Sequence, residues 1–207
     1  GVLFGELGVS LAQPEDLYQR DEDLDGEALT ARLAQVWSTP RGFWGALSSV
    51  DHKVVGRRYI LTAFVFLFLG ALLAVMIRLQ LSSAEARFIG PEVYNQIFTM
   101  HGSTMMFLFA VPVMEAFAVY LVPLMVGTRN IAFPRLNAFS YWVYVAGGAF
   151  LWIAFILNVG PDVGWFAYVP LSGPQFTPGK RSDVWAQMIT FTEVAALAVA
   201  VEIIVTV

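Results

Sequence analysis

The sequence predicts an all-α membrane protein with four transmembrane helices that belong to a larger helical bundle. Of its 207 residues, 57% are hydrophobic and 14% are charged, whereas about 25% of the residues of an average soluble domain are charged. The apolar residues form long runs, each near the roughly 20 residues that a helix needs to cross a hydrocarbon core. The spans are predicted at about 59–81, 97–125, 139–159 and 184–207.

Residues 1–40 form an acidic N-terminal extension that is separate from the membrane domain at 41–207. Half of the 16 acidic residues lie between Glu6 and Glu27, so the net charge of −4 reflects this segment and not the remainder. A short amphipathic helix is predicted from Gly26 to Trp37, and Pro40 ends it. The extension is interpreted as a solvated segment or as a docking segment for another subunit.

The first two spans contain residues that are unusual in a membrane helix, among them Arg78 and Pro112. The first, Tyr59–Leu81, follows aromatic and basic residues typical of a membrane interface, where His52 is also expected to lie. Arg78 lies near the far end of this span, from which a long cationic side chain can reach the interface. The second, Ile97–Met125, is expected to bend or loosen at Pro112, because proline removes a helix hydrogen bond.

A longer loop joins the third and fourth spans. The third span, Phe139–Val159, begins with interfacial aromatic residues, and Gly147 and Gly148 would let a neighbouring helix approach closely. The loop at 160–182 is rich in proline and glycine. The fourth span runs from Val184 to Val207.

The distribution of basic residues predicts a multi-pass topology with the N-terminus in the cytoplasm. Basic residues are more frequent before the first span and after the second than in the two other loops, and basic loops favour the cytoplasmic side. The first group is Arg41, Lys53, Arg57, Arg58, Arg129 and Arg135, and the second is Arg87, Lys180 and Arg181. His101 then lies in the outer third of the second span.

His101 is one of only 2 histidines in the chain. A neutral imidazole is a good ligand for a transition metal or haem iron, and a histidine within a membrane helix is costly without a partner. His101 is therefore a candidate ligand, the alternative being an imidazole at the interface or bonded to a backbone carbonyl. Because cysteine is absent, disulfides and thiolate metal sites are excluded. Nothing in the sequence indicates nucleic-acid binding.

Three motifs follow one another in and after the second span. They are Thr99-Met100-His101-Gly102, Leu121-Val122-Pro123-Leu124-Met125-Val126-Gly127 and Ala132-Phe133-Pro134-Arg135-Leu136-Asn137. This ordered series resembles subunit I of the haem–copper oxygen reductases, the cytochrome c oxidase family. The resemblance covers roughly Ser49 to Val207, the first four transmembrane helices of that subunit, and leaves out the N-terminal extension.

The resemblance implies that His101 is one axial ligand of a low-spin haem, with haem a as the expected type. Gly102 would leave room beside the ligand. Met105 would line the haem ring or pack on a neighbouring helix. Two axial ligands leave no open position, so this haem would transfer electrons and not bind oxygen.

Three further residues resemble haem-binding positions of the family. Arg78 would hydrogen-bond the formyl group of the low-spin haem, unless it only reaches the interface. Trp165 and Tyr168, within the motif that runs from Gly164 to Leu171, would pack near the haem propionates. The alternative for these two aromatic residues is an interfacial belt.

The remaining machinery of such an enzyme is expected to come from elsewhere. A second haem and copper belong to the complete enzyme, and a chain with 2 histidines does not ligate them. The chain is therefore expected to be a fragment, an incomplete chain or one part of a split subunit. The expected partners are the remainder of subunit I, other oxidase subunits, the lipid bilayer, and cytochrome c or a quinol as electron donor.

Several positions depart from the proton channel of the family. The aspartate at its entrance is replaced by Asn130, and an asparagine in its fourth helix by Glu202, although Asn137 is retained. Other hydrogen-bonding positions of the channel are occupied by Val119, Ala195 and Ala196. We therefore expect the usual entrance not to conduct protons, so that a hydrophobic residue at 130 leaves turnover nearly intact.

Acidic residues within spans are candidates for proton relays. The three such residues are Glu115, Glu193 and Glu202. Glu202 is the leading candidate, with simple exposure at the interface as its alternative, and it should face away from Glu193 on the same helix.

The predicted function is that of part of the catalytic subunit of a terminal respiratory oxidase in a bacterial inner (plasma) membrane. Such an enzyme, a cytochrome c oxidase, reduces oxygen and translocates protons. This chain would hold the haem that passes electrons to the oxygen-reducing centre. The alternatives are a quinol oxidase of the same superfamily and a non-catalytic haem-binding or assembly subunit.

Overall fold

The computed structural model describes residues 25–37, 42–85 and 88–207. They form helices and loops, and no strand occurs within these three ranges. The chain divides into two units, residues 1–46 and 47–207. The acidic run before Asp25 lies mostly outside the described residues, as do Pro40, Arg41 and Arg87. The interpretation of the extension and the full charge comparison therefore remain predictions.

The first unit contains a short helix, α1, at Gly26–Trp37, with the bounds that the sequence predicts. The Asp25 carboxylate accepts a hydrogen bond from the backbone N–H of Ala28 at 2.8 Å and so caps the helix. A second short helix, α2, occupies Phe43–Ser48.

Among the described residues, 4 helices are long and apolar enough to cross a membrane, which confirms the predicted fold class. They are α3 (His52–Gln80), a continuous run at Pro91–Val126, α6 (Pro134–Ile156) and α7 (Arg181–Thr206). The continuous run comprises α4 (Pro91–Ser103), a π-helical segment (Thr104–Ala110) and α5 (Val111–Val126). Helices α3 and α6 begin before their apolar runs, at His52 and Pro134 and not at Tyr59 and Phe139.

Glycine residues let α6 approach two neighbouring helices closely, as predicted. A Cβ atom at Gly147 would lie 2.7 Å from the Cβ of Phe191 on α7. A Cβ atom at Gly148 would overlap the ring of Phe66 on α3. Because real Cβ atoms do not come so close, α6 could not pack in this way with alanine at either position.

The predicted loosening at Pro112 takes the form of the π-helical segment that precedes it. Proline has no N–H to donate to the carbonyl four residues before it, here that of Leu108. The hydroxyl of Tyr144 on α6 donates to this carbonyl at 2.7 Å. The N–H of Val111 donates to the carbonyl of Met106, five residues before it. Side chains between His101 and Pro112 therefore do not follow regular α-helical spacing.

This arrangement predicts that Tyr144→Phe destabilises the membrane unit. The substitution removes the hydroxyl that donates to the buried Leu108 carbonyl, and the loss of a buried hydrogen bond of this kind costs about 1–3 kcal/mol. Thermal unfolding of the purified protein in detergent should show this loss. The matched control is Tyr120→Phe on α5, because the Tyr120 hydroxyl makes no hydrogen bond within the described ranges. Equal unfolding temperatures for the two variants would contradict the assignment.

Candidate functional site

His101 lies in the last turn of α4 and is half-buried. Its Nδ1 atom lies 3.0 Å from the carbonyl oxygen of Gly70 on α3. A carbonyl only accepts, so Nδ1 carries the proton and Nε2 keeps its lone pair. A hydrogen bond from one ring nitrogen to a backbone carbonyl is the usual arrangement when the other nitrogen binds a metal. The same bond also satisfies a buried histidine that binds nothing.

The surroundings of His101 are closely packed at two glycine residues. A Cβ atom at Gly70 would lie 2.8 Å from the sulfur of Met105, and one at Gly102 would lie 2.7 Å from the Cβ of Trp165. Met105 therefore packs against α3, and its contact with a haem ring stays a prediction. The room that Gly102 leaves is occupied by Trp165, so this ring covers the helix turn that carries His101.

The loop between α6 and α7 brings Trp165 to this position. The Gly164 N–H donates to the hydroxyl of Thr99 on α4 at 2.8 Å, and the positive φ of Gly164, 80°, is one that glycine adopts without strain. Tyr168 lies on the same loop but is 65% exposed, and its ring packs against that of Phe166. The structure thus brings one of the two predicted aromatic residues to His101, and the role of Tyr168 stays a prediction.

Arg78 lies in the last turn of α3 and is exposed. It is about two turns beyond Gly70 along the same helix. This position is compatible with both predicted roles, an interfacial side chain and a haem contact.

The acidic residues of the spans divide into a pair and a single residue. Glu115 on α5 is close enough to Glu193 on α7 for the two carboxylates to repel each other. The Glu193 side chain is exposed. Glu202 is fully buried, and neither of its carboxylate oxygens has a hydrogen-bond partner in the described part of the chain. The alternative that Glu202 is simply exposed at the interface is therefore wrong.

A buried polar cluster, consisting of Tyr59, Asn137, Ser140 and Glu202, lies between α3, α6 and α7. The Tyr59 hydroxyl donates to Ser140 Oγ at 3.0 Å, and Ser140 Oγ donates to the Asn137 carbonyl at 2.8 Å. Glu202 lies within electrostatic reach of Tyr59. The side-chain amide of Asn137 is fully buried and has no partner among the residues described. Buried polar atoms of this kind are usually satisfied by ordered water, so the cluster is a candidate hydrated site.

Asn130 holds the loop between α5 and α6 against the start of α3. Its Oδ1 atom accepts from the His52 backbone N–H at 3.1 Å, and lies 3.2 Å from His52 Nδ1. It also accepts from the N–H of Ile131 at 2.9 Å, and Asn130 Nδ2 donates to the Val50 carbonyl at 3.3 Å. We call this set of bonds the Asn130 clasp.

The Asn130 clasp corrects the expectation for His52 and gives Asn130 a structural role. His52 is only 1% exposed, because the loop covers the side chain that was expected to lie at the interface. A hydrophobic residue at 130 would also leave the His52 N–H and the Val50 carbonyl without their partner. Such a variant would therefore disturb the fold and would not report on a proton route alone.

Comparisons with known proteins identify the family. A family model described as cytochrome c and quinol oxidase polypeptide I matches residues 54–207. The cytochrome c oxidase subunit 1 of Corynebacterium glutamicum is 39% identical over 165 residues, which cover 79% of this chain and 28% of the relative. The protein of the same name from Synechocystis sp. is 48% identical over 123 residues, 59% of this chain and 22% of the relative.

A third relative with this name, from Thermostichus vulcanus, is 41% identical over 160 residues, 77% of this chain and 28% of the relative. The chain thus spans less than a third of the length of these relatives. It belongs to the cytochrome c and quinol oxidase polypeptide I family, and it represents an N-terminal part of that subunit.

Proposed function

We propose that this chain is the part of the catalytic subunit of a terminal respiratory oxidase that holds one side of a low-spin haem. The complete protein reduces oxygen to water and translocates protons. The observation that carries the proposal is the hydrogen bond from His101 Nδ1 to the Gly70 carbonyl. The name of the relatives favours cytochrome c over a quinol as electron donor.

The residues around His101 fit a haem. The Gly70 carbonyl orients the imidazole so that Nε2 presents its lone pair, and Trp165 shields the adjacent helix turn. A haem with two axial imidazoles supplies one-electron transfer when bound. The other histidine of the chain, His52, is engaged with Asn130 at a different loop. The second axial ligand therefore comes from outside the chain, as do the ligands of the second haem and the copper.

The membrane location follows from the four apolar helices and from the relatives. We infer a multi-pass protein of the bacterial plasma membrane, assembled with other oxidase subunits. The starts of α3 and α6 and the end of α7 face the cytoplasm, because Lys53, Arg57, Arg58, Arg129 and Arg135 all lie at that end.

His101→Gly in the assembled oxidase should abolish the absorption of the low-spin haem while the second haem remains. The reason is that the variant removes one of the two axial imidazoles that hold this haem. Visible spectra of the reduced enzyme measure both haems. Added imidazole should restore the low-spin band, because a free imidazole can occupy the space of the deleted ring. An unchanged low-spin band in the variant would contradict the ligand assignment.

Arg78→Leu should shift the absorption of the low-spin haem to shorter wavelength if the haem carries a formyl group. The guanidinium would no longer withdraw electron density from the ring. The matched control is Arg57→Leu at the opposite end of α3, where Arg57 Nε donates to the Lys53 carbonyl. A spectrum identical to that of the control would leave the interfacial role as the better explanation.

For proton transfer we propose that Glu202 is the principal group on this chain and that the buried polar cluster holds water around it. Glu202 combines an ionisable side chain, complete burial and two carboxylate oxygens that have no protein partner in the ranges described. Asn137 contributes a second unpartnered group to the same cluster. The pair Glu115 and Glu193 is the weaker candidate, because Glu193 is exposed.

Glu202→Gln should slow oxygen turnover and proton uptake by at least about tenfold, since the amide keeps the shape of the side chain but carries no transferable acid proton. The matched control is Glu193→Gln on the same helix, which should have the smaller effect. Oxygen consumption and proton uptake by vesicles containing each enzyme measure the difference. A normal Glu202 variant beside an impaired Glu193 variant would reverse the assignment.

A further inference from the structure

We propose that Arg181 is a positioning residue for the haem site, because its guanidinium fixes the loop that holds Trp165 against the helix turn of His101. This inference rests on the proposed function. In the topology predicted from the sequence, Arg181 counts only as a basic residue of the loop before the fourth span. Its effect on the haem is indirect and is exerted through Trp165.

The first step concerns the contacts of the guanidinium of Arg181, the first residue of α7. Nη1 donates to the Gly160 carbonyl at 2.8 Å, and Nη2 donates to the Asn158 carbonyl at 3.2 Å. Nε lies 3.6 Å from Oδ2 of Asp162. All three nitrogen atoms of one rigid, planar group therefore fix the chain that leaves α6. We call this set of contacts the Arg181 latch.

The second step is that the latch replaces regular structure. Helix α6 ends at Ile156, so the carbonyls of Asn158 and Gly160 lie beyond it and have no continuing helix to bond with. Asn158 also has a positive φ of 61°, which is uncommon for a residue other than glycine. Only 24% of the Arg181 side chain is exposed. Water therefore cannot readily take the place of the guanidinium at both carbonyls.

The third step connects the latch to Trp165, which follows Asp162 by three residues. Three residues span at most about 11 Å, so a displacement of Asp162 is readily passed on to Trp165. Between them, the Gly164 N–H donates to the hydroxyl of Thr99 on α4 at 2.8 Å. The segment is thus held by α7 at Asp162 and by α4 at Gly164. Without the latch, the bond from Gly164 would have to hold the segment in place at the surface of the protein.

A second set of contacts joins the start of α7 to the same ring. Trp185 lies one helical turn after Arg181, on the same face of α7. Its ring packs edge-on against that of Phe107, with the centroids 6.3 Å apart, and the Phe107 centroid lies 6.4 Å from that of Trp165. Helix α7 therefore supports Trp165 through the latch and also through the π-helical segment that carries Phe107.

The consequence for the haem site is the exclusion of water. Trp165 packs on Gly102, next to His101, and 37% of its surface is exposed. The ring therefore forms a boundary between solvent and the turn that carries the ligand. Displacement of the ring would admit water to this turn and make its surroundings more polar. More polar surroundings favour the more highly charged, oxidised form of a haem and so lower its reduction potential.

The test uses Arg181→Gln, Trp165→Leu and the double variant in the assembled oxidase. The matched control is Lys180→Gln, which removes the neighbouring positive charge but no hydrogen bond, because the Lys180 side chain makes none within the described ranges. Spectroelectrochemical titration measures the midpoint potential of the low-spin haem. Hydrogen–deuterium exchange measures how readily the loop opens at 164–168.

We expect Arg181→Gln and Trp165→Leu each to make the low-spin haem about tenfold easier to oxidise, which for one electron is a fall of about 59 mV in the midpoint potential. The double variant should fall no further than Trp165→Leu alone, because Arg181 acts through that ring. Exchange at 164–168 should accelerate at least about tenfold in Arg181→Gln. Lys180→Gln should change neither quantity by a comparable amount.

Equal shifts in Arg181→Gln and Lys180→Gln would overturn the proposal in favour of a simple charge effect. Additive shifts in the double variant would also overturn it, since Arg181 would then act independently of Trp165. A lower unfolding temperature with unchanged potential and exchange would make the latch a purely structural contact and would refute the positioning role.

A second variant, Arg181→Lys, covers the case in which Arg181→Gln does not assemble. It keeps the charge but loses the planar fork, so the same fall in potential is expected, and an unchanged potential and exchange would contradict the proposal. An unmodified oxidase whose low-spin haem does not depend on His101 would instead refute the proposed function, and this inference with it.

Discussion

Within a membrane, a polar backbone group that lacks its hydrogen bond in the helix cannot bond to bulk water instead. This constraint shapes the described unit at 47–207. Pro112 cannot donate to the Leu108 carbonyl, and Tyr144 from a neighbouring helix supplies the donor. The Nδ1 atom of His101 is likewise matched to the carbonyl of Gly70. In both cases a contact between helices replaces what water would provide at a protein surface. The same contacts fix how the helices are arranged.

Against this background, the polar atoms that the fold leaves unmatched are informative. Glu202, Asn137 and Nε2 of His52 are three of the groups that are buried without a partner in the part of the chain described. Burying any of these groups without a hydrogen-bond partner would cost free energy. Each is therefore a position where water, a proton or the further helices of the subunit supply the partner. All three lie towards the end of the unit that carries the starts of α3 and α6. The buried polar cluster proposed for proton transfer thus lies at one end of the unit, and His101 lies beyond it.

The number and type of helices could be predicted from the sequence, because hydropathy over some twenty residues is a strong signal. The helix starts could not, since caps such as that of Asp51 on the N–H of Lys53 extend α3 into polar sequence.

The importance of His101 was visible in its isolation within an apolar span. Its partner was not, because Gly70 contributes a backbone carbonyl and carries no side chain. The burial of His52 also escaped prediction, since it depends on a loop more than seventy residues away. The sequence predicted only that the second span bends or loosens near Pro112, and it did not predict the π-helical geometry.

The π-helical segment has a consequence for the second half of its span. An α-helix advances by about 100° per residue, and a π-helical turn accommodates one residue more than an α-helical turn does. The segment at Thr104–Ala110 therefore changes the rotational phase between the residues of α4 and those of α5. His101 and Glu115 belong to the same continuous helical run but lie on either side of this segment. Regular α-helical spacing therefore does not relate the helix face of one residue to that of the other. A single-residue deletion there would leave the span apolar and long enough to cross a membrane. It would nevertheless rotate α5, so that the side chains of α5 would contact different neighbours.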